Sequence, residues 1–203
     1  AAQKSEGRLI LGEFHGAICD DCRPGVEQEV RLSQLKKAGV PERYIPKMAR
    51  GPWRRMPAGF LWVLIRGVVG CGKTHAAVEM IVDSPGARFV AWPKVAELRR
   101  KHVDSPRNVD DPLVRLENMR GVLVVDDLGA ELVTPISREA ANLLVSARYN
   151  SQAPTIFSTN LSLKELATVY GERLASRITE AAKQVVLAEK ADLRRAGRVA
   201  EGR

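Results

Sequence analysis

Gly67, Val68, Val69, Gly70, Cys71, Gly72, Lys73 and Thr74 read GVVGCGKT, directly after the apolar run Phe60 to Ile65 and before the helix-like stretch from His75 to Val82. A strand, a glycine-rich loop and a helix in that order predict a phosphate cradle. Gly67, Gly70 and Gly72 let the backbone curl so that successive N–H groups point inward, and the helix that follows opens with its positive dipole end toward the phosphates. Lys73 brings a point charge toward the terminal phosphates. Thr74 offers a hydroxyl to the Mg2+ that accompanies ATP or GTP. A glycine-rich turn that meets the pattern by chance is the competing reading, and the legible strand before it and helix after it weigh against that. Cys71 stands at a variable loop position and reads as a small space-filling side chain.

The chain has 203 residues, 45% of them hydrophobic and 28% charged, which fits one soluble domain with a sizeable core. No apolar run approaches the roughly 20 residues of a membrane span, and AAQKSEGRLI at the start lacks a secretory apolar region. A cytoplasmic protein with no membrane partner is the expectation. The net charge of +8 favours a polyanionic partner, although excess arginine also serves solubility.

After an ambiguous segment to about Pro57, strands and helices alternate. Strands are predicted at 60–65, 88–92, 122–125, 155–158 and 184–187, and helices at 74–82, 93–102, 113–119, 137–149 and 163–182, the last with a break at Gly171. Such alternation implies parallel pairing and a three-layer α/β/α sandwich. Residues 1–57 are read as a partner-binding or linker segment, and 58–203 as the nucleotide-binding domain.

Ligands in such sheets bind at the carboxyl ends of the strands. After Val122–Val125 come Asp126 and Asp127. Asp126 is placed to hold Mg2+, and Asp127 to orient or deprotonate an attacking water; an acidic strand cap is the plainer alternative. After Thr155–Ser158 comes Asn160. Ser162 and Glu165 already form the capping pattern S-x-x-E of the next helix, which leaves Asn160 free to position water against a terminal phosphate. Farther on, Arg177 is either solvated surface, paired to Glu180, or an arginine finger reaching the ATP site of a neighbouring subunit. Spacing does not choose between them.

From about Pro57 to Arg195 the chain resembles the helicase-loader branch of the AAA+ ATPases, the DnaC-like and IstB-like proteins. The matching stretches are GVVGCGKTH, VLVVDDLGAE, ARYNSQAPTIFSTNLSLKEL, YGERLASRI and ADLRR. The resemblance implies a P-loop NTPase of AAA+ type. In it Lys73 and Thr74, with His75 beside them, belong to Walker A, Asp126 and Asp127 to Walker B, Asn160 to sensor 1, and Arg177 to the finger acting in trans. Arg148 and Tyr149 match an Arg-Tyr pair whose role the residues do not disclose, packing beneath the sheet being one candidate. Asp127 departs from the glutamate common in AAA+ proteins and is shorter by roughly 1.5 Å. A C-terminal helical lid is not expected, so a protomer alone should be a slow ATPase.

Two further patterns concern partners. Arg99, Arg100 and Lys101 end a helix, either as DNA phosphate contacts or as cations complementing the helix C-terminus. Arg50, Trp53, Arg54 and Arg55 suit stacking on unpaired bases, or linker packing. His15, Cys19 and Cys22 make three potential Zn2+ ligands where a structural site wants four, against an unliganded turn. The resulting functional expectation is an ATP-dependent loader of a DnaB-like replicative helicase that binds single-stranded DNA and self-associates through Arg177, quite in keeping with a phage or mobile element. The alternatives are an IstB-type transposition helper, a nucleotide-gated adaptor with little hydrolysis and, more weakly, a small-molecule kinase.

Overall fold

Alternation along β1 (Trp62–Arg66) sends Trp62 and Leu64 to one face of the sheet and Val63 and Ile65 to the other. The computed structural model describes residues 23–45, 56–104 and 111–187. Its remaining elements are α1 (Arg23–Ala38), α2 (Lys73–Glu79), β2 (Arg88–Ala91), α3 (Trp92–Asp104), α4 (Pro112–Glu117), β3 (Leu123–Asp126), α5 (Pro135–Asn150), β4 (Thr155–Thr159), α6 (Leu163–Tyr170), α7 (Glu172–Ala181) and β5 (Ala182–Val186), with a short 3-10 turn at Glu42–Tyr44. The five strands run in the order β2-β3-β4-β1-β5, every pairing parallel. Residues of α1 and α2 pack on the Val63 face, and residues of α3 to α7 on the Trp62 face. The expected three-layer α/β/α sandwich is therefore formed.

Within the segment set apart as 1–57, Leu35, Ala38, Val40 and Ile45 are buried in the same cluster as Val63, Ile65 and Phe89, and Arg31 pairs with Asp83 at 2.9 Å. The strand boundaries shift by a residue or two. Phe60 and Leu61 are 43% and 47% exposed and precede the sheet, whose first β1 partner is Trp62 opposite Thr155. Burial of β1 on both faces explains why apolarity alone overran the strand's start. The long helix predicted at 163–182 breaks where expected: Gly171, at φ 99°, closes α6 and opens α7.

The Arg-Tyr pair divides its work across the two sides of α5. Arg148 is fully buried. Its guanidinium donates to Thr155 Oγ1 at 2.7 Å and to the carbonyls of Met119 (2.6 Å), Gly121 (3.0 Å), Pro154 (2.7 Å) and Leu116 (3.3 Å). Burial lowers its pKa to about 10, so it stays charged at neutral pH. These acceptors lie at the end of α4, in the turn leading to β3, and at the start of β4. One cation thus ties the chain segments feeding two adjacent strands, and each acceptor left bare would cost about 1–3 kcal/mol. The packing role is the one the structure shows.

Candidate nucleotide-binding site

The phosphate loop leaves β1 between its neighbours β4 and β5 and enters α2 at Lys73. Gly70 and Gly72 hold φ of 83° and 95°, backbone that side chains rarely adopt. Gly67 serves differently: a Cβ there would meet Cys71 Sγ at 2.6 Å and the Leu187 carbonyl at 2.9 Å, so the position needs space rather than left-handed backbone. Cys71 is buried against that spot and fills it, as read from the sequence. Val68 and Val69 are exposed on the loop, 44% and 62%. His75 pairs with Glu79 one turn along α2, Nε2 to Oε1 at 3.1 Å.

Lys73 is 5% exposed, and its ammonium donates to the Gly67 and Val68 carbonyls at 2.9 Å each and to Asn160 Oδ1 at 2.5 Å. Asn160 is available for this because the Ser162/Glu165 capping box is formed on α6, Ser162 Oγ accepting from the Glu165 N–H at 3.2 Å and Glu165 Oε2 from the Ser162 N–H at 2.7 Å.

Alternation along β3 puts Asp126 on the same face as Val124, the face covered by α2. There Thr74 Oγ1 donates to Asp126 Oδ2 at 3.0 Å. Asp126 Oδ1 accepts from Ser158 Oγ at 2.5 Å, and Ser158 Oγ in turn accepts from the Asp127 N–H at 2.9 Å. Burial is the main cause that raises the Asp126 pKa, with the Asp127 charge adding to it, while the Ser158 and Thr74 hydroxyls and Lys73 pull the other way. A hydroxyl and a buried carboxylate, oxygen donors only, fit a hard cation such as Mg2+. Asp127 has φ 57°, the left-handed region, which costs a residue with a Cβ about 1–3 kcal/mol and concentrates at functional turns. The Ser158 hydroxyl and a bond from the Ala130 N–H to the Asp127 carbonyl at 3.1 Å hold it there.

Lys73, Thr74, Asp126 and Asn160 therefore converge, with Asp127 on the adjoining turn. Arg177 does not join them. It sits on α7, on the Trp62 face of the sheet, where it donates to Ser146 Oγ of α5 and lies 5.4 Å from the Tyr149 ring centroid. The Tyr149 ring contacts Trp62, with centroids 6.1 Å apart, at the opposite end of β1 from the phosphate loop. Four strand steps separate Trp62 from Arg66, roughly 13 Å. The nearby Glu180 carboxylate is the main cause that raises the Tyr149 pKa.

The cations at the end of α3 each meet an acid of their own chain. Arg99 pairs with Asp111, whose other oxygen caps α4 by accepting from the Leu113 N–H at 3.0 Å. Arg100 lies 3.6 Å from Asp104, and Lys101 2.6 Å from Glu97. Lys101 and Lys94 together hold the Glu97 carboxyl down at about 2. His15, Cys19, Cys22, Arg50, Trp53, Arg54 and Arg55 lie outside the described residues. Ser158 is the site residue that sequence reading passed over. Its signal was a polar side chain two positions after buried Ile156, on the α2 face.

Fold, glycine loop and acidic strand end together have the arrangement of a P-loop nucleotide-binding fold. In sequence the chain is similar to the replicative helicase loader DnaC of Escherichia coli strain K12, 25% identical over 122 residues, covering 57% of this chain and 49% of that one. It spans about half the length of the curated relatives it matches. In fold it is similar to the crystal structure of the DnaC helicase loader (TM-score 0.55, 23% identity, 86% of this chain and 94% of that chain). It is similar also to the replication initiator DnaA bound to AMPPCP and single-stranded DNA (TM-score 0.53, 16% identity, 70% and 46%). No protein-family model matches the chain. The resemblance read from the motifs is borne out, and the chain is DnaC-like in sequence and fold. Among the described residues no helix is long and apolar enough to cross a membrane.

Proposed function

We propose that the chain is an ATP-hydrolysing helicase loader that acts on single-stranded DNA as an oligomer, delivering a DnaB-like replicative helicase. The observation that carries the ATPase part is the contact of Thr74 at the head of α2 with Asp126 at the end of β3, beside Lys73 bonded to Asn160. Backbone N–H groups of the glycine loop and the Lys73 ammonium bind the phosphates of ATP. Thr74 and Asp126 would hold Mg2+, which when bound neutralises charge on the phosphates. Asp127 on its left-handed turn orients the attacking water, and Asn160, whose Oδ1 accepts a hydrogen bond from the Lys73 ammonium, keeps its amide N–H groups for that water or the terminal phosphate. Ser158, fully buried, fixes the carboxylate of Asp126 and the backbone of Asp127 at once.

Loading is supported by the likeness to DnaC, and single-stranded DNA by the net charge of +8 and by the DnaA complex that shares the fold. Residues 1–57 are the proposed partner-binding segment. The cytoplasm is the proposed compartment. Arg177 lies at the far end of β1 from its own phosphate loop, which favours its action in a neighbour's site. Turnover per chain is therefore expected to climb with protein concentration and with added single-stranded DNA. Rapid hydrolysis at high dilution, indifferent to DNA, would count against the shared-site loader.

A further inference from the structure

The Arg-Tyr pair is absorbed only by half into the fold, since Arg148 locks the strands while Tyr149 faces outward onto α7. Ser146 and Tyr149, three apart on α5, form one helical ridge, and Arg177 and Glu180, three apart on α7, form the ridge opposite. Arg177 donates to Ser146 Oγ, with its guanidinium carbon 5.4 Å from the centre of the Tyr149 ring. The ring is fixed from behind by Trp62, whose own indole N–H donates to the Ala153 carbonyl at 2.9 Å, and by the edge contact of Trp62 with Phe157 at 5.2 Å. A flexible arginine on a helix surface has many rotamers; here a hydroxyl and an aromatic face select one, and freezing that freedom beforehand spares the cost when the group docks.

We infer that Tyr149 and Ser146 are positioning residues for Arg177, presetting its guanidinium for entry into the ATP site of a second copy of this chain. The inference rests on the reading of Arg177 as a finger acting in trans. Tyr149 touches neither nucleotide nor metal in this account and acts only through the arginine.

The test uses two chains with complementary defects. Arg177→Ala keeps its phosphate loop and lacks a finger; Lys73→Ala keeps the finger and lacks the loop lysine. Each is inactive alone, and their mixture recovers ATP turnover because one donates Arg177 to the other's site. Tyr149→Leu added to the Lys73→Ala chain, the finger donor, is expected to lower the recovered turnover by about tenfold. The same substitution in the Arg177→Ala chain is expected to leave it unchanged. Tyr149→Phe in the finger donor keeps the ring beneath the guanidinium and retains most of the turnover. Ser146→Ala, which removes a single hydroxyl, carries the same chain-specific expectation should Tyr149→Leu fail to fold. Equal losses in both chains would mark a structural role and overturn the inference, as would no loss in either. A mixture that recovers nothing would instead refute the trans reading of Arg177 and take the inference with it.

Discussion

Asp126→Asn is expected to leave ATP bound and to lower its turnover on the order of 10³-fold, since the substitution removes the negative charge offered to Mg2+ while keeping the side chain's size. The same change should not weaken the fold. Burial is the largest influence on Asp126 and raises its folded pKa above the unfolded value. The folded state then binds the proton more tightly, so stability falls as pH rises through the interval between the unfolded and folded pKa values. Above that interval the ionised carboxylate is a standing cost. An amide has no charge to bury, and the melting temperature at neutral pH is expected to stay level or rise. Turnover and melting measured on one preparation check both parts; lost turnover with lost stability would make Asp126 a structural cap instead.

Arg177→Ala should lower turnover by about 10³-fold or more while leaving ATP affinity intact, because in its proposed role the arginine meets charge that develops only as the phosphoryl group is transferred. Its position supports that separation of binding from chemistry. The guanidinium is held by α5 on the Trp62 face, whereas Lys73 and Thr74 open α2 on the other. Nucleotide titration alongside steady-state hydrolysis tests the prediction. Unchanged hydrolysis would return Arg177 to the role of a surface side chain bonded to Ser146.

Much of this arrangement is legible before any fold is seen, for reasons that particular residues make plain. The phosphate loop reads from glycine spacing because Gly70 and Gly72 must take left-handed backbone. Asn160 reads as free of capping because Ser162 and Glu165 supply the cap, a local pattern that the structure contains as written. The parallel sheet followed from alternating apolar runs and helices, but its edges did not, since Phe60 and Leu61 are as apolar as the paired residues after them. Long-range contacts stayed hidden. Nothing near Arg148 in sequence points to the carbonyls of Met119 and Gly121, and nothing near Ser158 points to Asp126, 32 residues earlier. The ion pair of Arg99 stayed hidden for a related reason, as it meets its acid only because Asp111 begins α4 close by.

The proposed loader depends on the glycine loop with Lys73 and the Asp126 end of β3 forming one site for ATP and its metal. Titration of ATP into the protein in the presence and absence of Mg2+, wild type against Lys73→Ala, tests it most directly. Saturable binding that Mg2+ strengthens and Lys73→Ala abolishes is the predicted result. Binding by Lys73→Ala equal to that of the wild type, or no ATP binding by the wild type at all, would contradict the account.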